Sequence, residues 1–111
     1  MTEPASDDGP LTFINVFEIP EDEIDAFIVN WESRSRLMTT ADGFVSAELH
    51  RAITPDTEFK LINVSRWESM EHFRAATTDP QYRSELDRYQ SADESTWTPH
   101  RGFYRTALKL D

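Results

Sequence analysis

The chain has 111 residues, a formal net charge of −10 and 38% hydrophobic residues, including seven Phe, three Trp and three Tyr. That length suits a single domain, which buries roughly 65% of the surface its unfolded chain exposes. With no cysteine in the chain, disulfides, thiolate metal sites and cysteine nucleophiles are excluded.

The acidic balance disfavours nucleic acid and anionic lipid, because both are themselves negative. No apolar run approaches the roughly 18 residues that a membrane span needs. Residues 1–10 (MTEPASDDGP) have neither a basic start nor an apolar run, so no secretory signal is expected. The expectation is a cytoplasmic protein without membrane or nucleic-acid partners. The same ten residues read as a flexible acidic tail, and residues 11–111 as one domain.

Residues 11–19 (LTFINVFEI) are rich in β-branched and aromatic types and predict the first strand. Pro20 ends it, and Glu21, Asp22 and Glu23 favour the positive end of a helix dipole. Ile24, Phe27, Ile28, Trp31 and Met38 recur at helical spacing, which predicts a helix over 21–39. Arg34 and Arg36 read as exposed charges on it, with Glu32 and Arg36 spaced as a surface ion pair. Asp42-Gly43 signals a turn, residues 44–52 a second strand, and residues 54–57 the next turn. Residues 59–67 (FKLINVSRW) predict a third strand, paired as a hairpin with the second. Ser69 is placed to cap a short helix over 70–77. Asp79-Pro80 starts a third helix over 80–89, along which Tyr82, Leu86 and Tyr89 repeat on one face. Arg83 and Arg88 read as exposed charges. Residues 90–99 read as a loop and residues 102–110 as the last strand.

The order β-α-β-β-α-α-β predicts an α+β domain, a ferredoxin-like antiparallel sheet with helices on one face. Ile14, Val16, Ile62 and Val64 then fall on the opposite face. A bare apolar face needs a cover, and a second copy of the chain supplies one, so a homodimer is expected.

Alternation puts Phe13, Asn15 and Phe17 on one face of the first strand. Phe59, Leu61, Asn63, Ser65 and Trp67 share a face of the third. Asparagine is depleted in strands, and burying an unpaired amide costs a few kcal/mol. Two asparagines among aromatics therefore mark a candidate site, against the alternative that each amide bonds a nearby loop or strand end.

The ordered set Phe13-Ile14-Asn15-Val16-Phe17, Asp42-Gly43-Phe44 and Leu61-Ile62-Asn63-Val64-Ser65-Arg66-Trp67-Glu68-Ser69 resembles the antibiotic-biosynthesis monooxygenase superfamily, over about residues 11–89. The resemblance implies a dimeric α/β barrel. It also implies a pocket lined by a first-strand asparagine and an Asn-x-x-x-Trp motif, as in polyketide anthrone oxygenases. Carried over, these are Asn15, Asn63 and Trp67. The implied activity is cofactor-independent oxidation of an electron-rich aromatic by O₂ to a quinone. Such chemistry asks for uncharged hydrogen-bond donors to an oxyanion within a dry pocket. Phe13, Phe17, Phe59, Trp31, Phe73 and Tyr82 are the expected substrate-binding residues, with His50 as a candidate for proton transfer.

Certain anthrone oxygenases carry tyrosine near the Phe73 position, for which Tyr82 and Tyr104 are the substitutes available here. Haem-degrading relatives add an axial histidine on the helix after the tryptophan, and residues 81–87 contain none. His72 reads as a surface or capping residue, and His100 is assigned no role. No cofactor and no metal is expected. The alternatives are a non-oxidative cyclase or isomerase on the same fold, a non-catalytic small-molecule binder, and a haem-degrading enzyme.

Overall fold

The computed structural model describes residues 9–93 and 97–111. The tail expected over residues 1–10 lies outside the described residues except for Gly9 and Pro10. The strands are β1 (Leu11–Glu18), β2 (Phe44–Arg51), β3 (Leu61–Trp67) and β4 (Thr98–Tyr104). The helices are α1 (Ile24–Arg36), α2 (Met70–Thr77) and α3 (Pro80–Asp93). The sheet order is β2-β3-β1-β4, with every neighbouring pair antiparallel. This is the ferredoxin-like arrangement, in which each helical connection crosses one intervening strand.

Asn15 pairs across the sheet with Asn63 on β3 and Arg101 on β4. The side chains of Phe13, Asn15, Phe17, Leu61, Asn63, Ser65 and Trp67 thus share the face that the helices cover. Its apolar core falls into two clusters. Leu11, Phe13, Met38, Trp67 and Ala76 pack at one end. Phe17, Ile24, Phe27 and Leu61 pack at the other, where Phe27 and Leu61 are fully buried. The Asn15–Asn63 pair lies between the clusters, where an apolar row would have joined them.

Local chemistry explains the element ends. Ser69 caps α2 by accepting the His72 backbone N–H at 3.1 Å, and its hydroxyl lies 2.6 Å from His72 Nδ1. Asp79 caps the start of α3 through Gln81 N–H at 2.9 Å, with Pro80 as the first helical residue. Gly43 turns the chain into β2 at φ +86°, a conformation that L side chains rarely adopt. It is also buried against the His72 ring, which a methyl group at this position would overlap.

Several element boundaries differ from the sequence reading. The first helix begins as a 3₁₀ turn, Glu21–Glu23, and α1 ends at Arg36. Arg34 is not an exposed charge: it is 7% exposed, donates from Nε to Asn30 Oδ1 at 2.6 Å and lies over the Phe27 ring. Arg36 does make the expected exposed pair with Glu32. The third strand starts at Leu61 rather than Phe59, because Ala52 N–H bonds Lys60 O and closes the hairpin there. The third helix runs four residues further, to Asp93.

The last strand is displaced most, running Thr98–Tyr104 instead of 102–110. Past the Thr12–Tyr104 pair only Leu11 of β1 remains, so the chain beyond has almost no ladder to join. Leu108 and Leu110 are 77% and 85% exposed as a result. Pro99 is accommodated because β4 is an edge strand.

Candidate active site

A cavity of about 200 Å³ opens between the sheet and the helices, over the Asn15–Asn63 pair. Edge-to-face and tilted aromatic contacts build its walls. At one end Trp67 stands edge-on to Phe44 and Phe73, with ring centroids 5.3 and 5.6 Å away. Phe13 lies 4.9 Å from Phe73. At the other end Trp97 stands edge-on to Phe17 and Phe27 at 5.6 and 5.3 Å. Such pairs fix ring positions beyond what area burial alone does. Trp31 and Met38, from α1 and the turn after it, and Tyr82 and Leu86 from α3 add to the apolar lining.

The polar floor is unusual for such a setting. Asn15 Oδ1 and Asn63 Oδ1 are buried and have no hydrogen-bond partner among the described residues. Leaving a buried acceptor unpaired costs about 1–3 kcal/mol. Rotating either amide by 180° exchanges its carbonyl for its NH₂ without moving the rest of the side chain, so each residue can offer an acceptor or two donors. Trp67 is 2% exposed, and its indole N–H reaches Ser65 Oγ at a long 3.4 Å. That donor is only weakly committed.

Of the residues singled out from the sequence, Asn15, Asn63, Trp67, Phe13, Phe17, Trp31, Phe73 and Tyr82 all line this cavity. Two do not. Phe59 precedes β3 in the hairpin loop, where its ring centroid lies 6.3 Å from that of His100. His50 pairs with Ile62 and projects from the opposite face of the sheet, exposed, with Nε2 3.2 Å from Glu48 Oε1. Strand alternation puts it there, with Ser46 and Glu48, so it cannot move a proton in the cavity. Tyr104 also falls on that opposite face, 53% exposed, which leaves Tyr82 as the phenol at the site among the described side chains.

The sequence reading missed other lining residues. Phe44 reaches the cavity because β2 bulges between Phe44 and Ser46, which returns Phe44 to the inner face beside Trp67. Trp97 stands immediately before β4, in a stretch read as loop. Arg101 lies ahead of the strand expected over 102–110, and Arg83 is exposed as expected; both also contribute to the cavity wall. Among the described residues, no histidine lines the cavity. His72 is held between Ser69 and Gly43, with Asp42 Oδ2 3.7 Å from its Nε2, and serves the cap. The lining therefore lacks the imidazole that an axial haem ligand of the implied kind requires, and haem does not fit this donor set.

The comparisons agree with this architecture. The family model described as antibiotic biosynthesis monooxygenase matches residues 10–84. A provisionally named monooxygenase from Shewanella loihica PV-4 is 28% identical, with a TM-score of 0.69 over 91% of this chain and 97% of its own. SnoaB from Streptomyces nogalater, described as a cofactor-independent oxygenase, is 19% identical, with a TM-score of 0.70 over 92% and 97%. A variant of MhuD with two manganese protoporphyrins bound per active site is 17% identical, with a TM-score of 0.66 over 91% and 98%. No curated protein matches the chain significantly. Its four-stranded sheet, its helices on one face and the match across most of its length place this chain in the antibiotic biosynthesis monooxygenase family.

Proposed function

We propose that this protein is a cofactor-independent monooxygenase that oxidises an electron-rich aromatic, of the anthrone-like polyketide class, with O₂ to a quinone. One observation carries the reading: two adjacent amides whose buried carbonyl oxygens lack partners form the floor of an aromatic-walled cavity. The cost of leaving them unpaired is recovered when a bound ligand supplies the missing partner. An apolar cavity of about 150 Å³ takes benzene. At about 200 Å³, this one is of a size for one or two fused rings.

In the reaction a ring methylene loses a proton, and the resulting anion gives an electron to O₂. Overall the methylene exchanges its two hydrogens for one oxygen atom, and the second oxygen atom leaves as water. Asn15 and Asn63 would turn their NH₂ groups to the substrate oxygen as it gains negative charge. Trp67 N–H would exchange its long bond to Ser65 for the same oxygen. In a water-excluded site such donors are worth more than in solution. The fold similarity to SnoaB and the family match support the reading.

The protein is proposed to act as a homodimer. Ile14, Val16, Ile62 and Val64 form an apolar strip on the sheet face opposite the described helices, and a second copy would cover it.

Oxygen uptake with the anthrone dithranol, corrected for its spontaneous oxidation, tests the activity. Uptake should be well above background and fall about 10²-fold in Asn63→Ala, the scale of losing one oxyanion donor. Trp67→Phe should lose less, because its ring packing is largely kept. Full activity in both variants would remove these residues from the reaction.

A further inference from the structure

We infer that the cavity selects aromatic substrates bearing a carboxylate, and that Arg101 is the residue that reads it. The inference rests on taking this cavity as the substrate site. Cross-strand pairing sets Asn63, Asn15 and Arg101 in one row, on β3, β1 and β4. Their side chains share the face that lines the cavity, with neighbouring Cβ atoms about 4.5–5.5 Å apart. The rows on either side are apolar where they cross β1 and β4: Phe13 pairs with Phe103, and Phe17 with Pro99. The only polar path across this part of the sheet therefore leads from the two amides to a guanidinium. Arg83, on α3, contributes a second guanidinium to the same wall.

Neither arginine forms an ion pair with a carboxylate among the described residues. By contrast, Arg36 pairs with Glu32 and Arg51 with Asp25. Both arginines are exposed where they line the cavity, so in a chain of net charge −10, with 21 acidic residues to 11 basic, they put two solvent-accessible guanidiniums on one wall, within reach of an external anion. A guanidinium binds a planar carboxylate through two parallel hydrogen bonds, so it orients as well as attracts its ligand. With the carboxylate on Arg101, the ring system would lie between the aromatic walls and extend along the row. Its reacting carbon would then sit over Asn15 and Asn63. Arg101 is thus a specificity-determining residue, distinct from the amides that face the chemistry.

Isothermal titration calorimetry on the intact 111-residue protein tests this with naphthalene-2-carboxylate and naphthalene-2-carboxamide. The two ligands share a shape and differ in charge. The carboxylate should bind about 10- to 100-fold more tightly, the range for a hydrogen-bonded charged group. Arg101→Gln should erase most of that ratio while leaving carboxamide affinity in place, which also shows that the variant is folded. Arg101→Lys should keep part of the ratio, because the charge remains and the paired geometry is lost.

Equal affinities in the unmodified protein, binding of neither ligand, or an unchanged ratio in Arg101→Gln would each overturn the inference. Because binding is read without O₂, this outcome is separable from the oxygen-uptake test. Uptake without carboxylate preference removes the anion site and leaves the oxygenase. Preference without uptake does the reverse.

Discussion

Asn15 and Asn63 stand where valine or isoleucine would join the two halves of the core. As single residues they were legible from the sequence, because asparagine is depleted in strands and both sit among aromatics. Their pairing with each other and their lack of partners were not legible, since both depend on the β1–β3 register. The structure turns this into a stability prediction. Replacing two unpaired polar groups with apolar groups of similar shape is neutral or favourable. Asn15→Val with Asn63→Val should therefore raise the unfolding free energy by about 1–2 kcal/mol, as read by urea denaturation, while oxygen uptake collapses. A marked loss of stability would mean that the amides are paired within the protein. His50 carries the opposite lesson. Its residue type fitted proton transfer, but the period of two along β2 sends it to the far face of the sheet.

At the scale of elements, short-range signals gave accurate boundaries. The Ser69 cap and the Asp79-Pro80 start appear where their chemistry requires. Ser69→Ala should cost about 1 kcal/mol by loss of the cap, measured by thermal or chemical unfolding. Gly43→Ala should cost more, about 1–3 kcal/mol from backbone strain alone, with the overlap on His72 added to it. If Gly43→Ala were neutral, the positive φ at that turn would be wrong. Besides the two helix ends, at Arg36 and Asp93, the boundaries that differ are those that depend on a partner strand. The β2 bulge moves Phe44 into the cavity, and no local feature of residues 44–46 announces it. The last strand starts at Thr98, ahead of Gly102, because Glu18 and Phe17 on β1 are there to pair with Thr98 and Pro99.

For the whole molecule, the sheet face opposite the helices is the surface on which the proposed dimer is tested. A charge placed in that apolar strip would be desolvated by any partner that covers it. Val64→Glu should therefore convert the proposed dimer to monomer in sedimentation velocity, with the helices intact by circular dichroism. A monomeric unmodified protein at tens of micromolar would end the dimer proposal. The charge argument also belongs at this scale. The net charge of −10 says nothing about the fold, but against it two exposed arginines on one cavity wall, Arg83 and Arg101, stand out. Among the described residues, no helix is long and apolar enough to cross a membrane.

By itself the sequence determined the element types and their order, the inward sets on β1 and β3, two helix starts and the family. Each of these is written in residue type and in spacing over a few positions, where periodicity and turn chemistry act locally. Only the tertiary structure decided that Asn15 and Asn63 lie side by side with their carbonyl oxygens unpartnered. It alone brought Phe44 in and left Phe59 and His50 out, and it alone carried Arg101 to the end of the amide row. Those facts depend on register between strands tens of residues apart in the chain. A shift of one residue would turn every side chain of a strand to the other face, and a local reading of sequence cannot sense that choice.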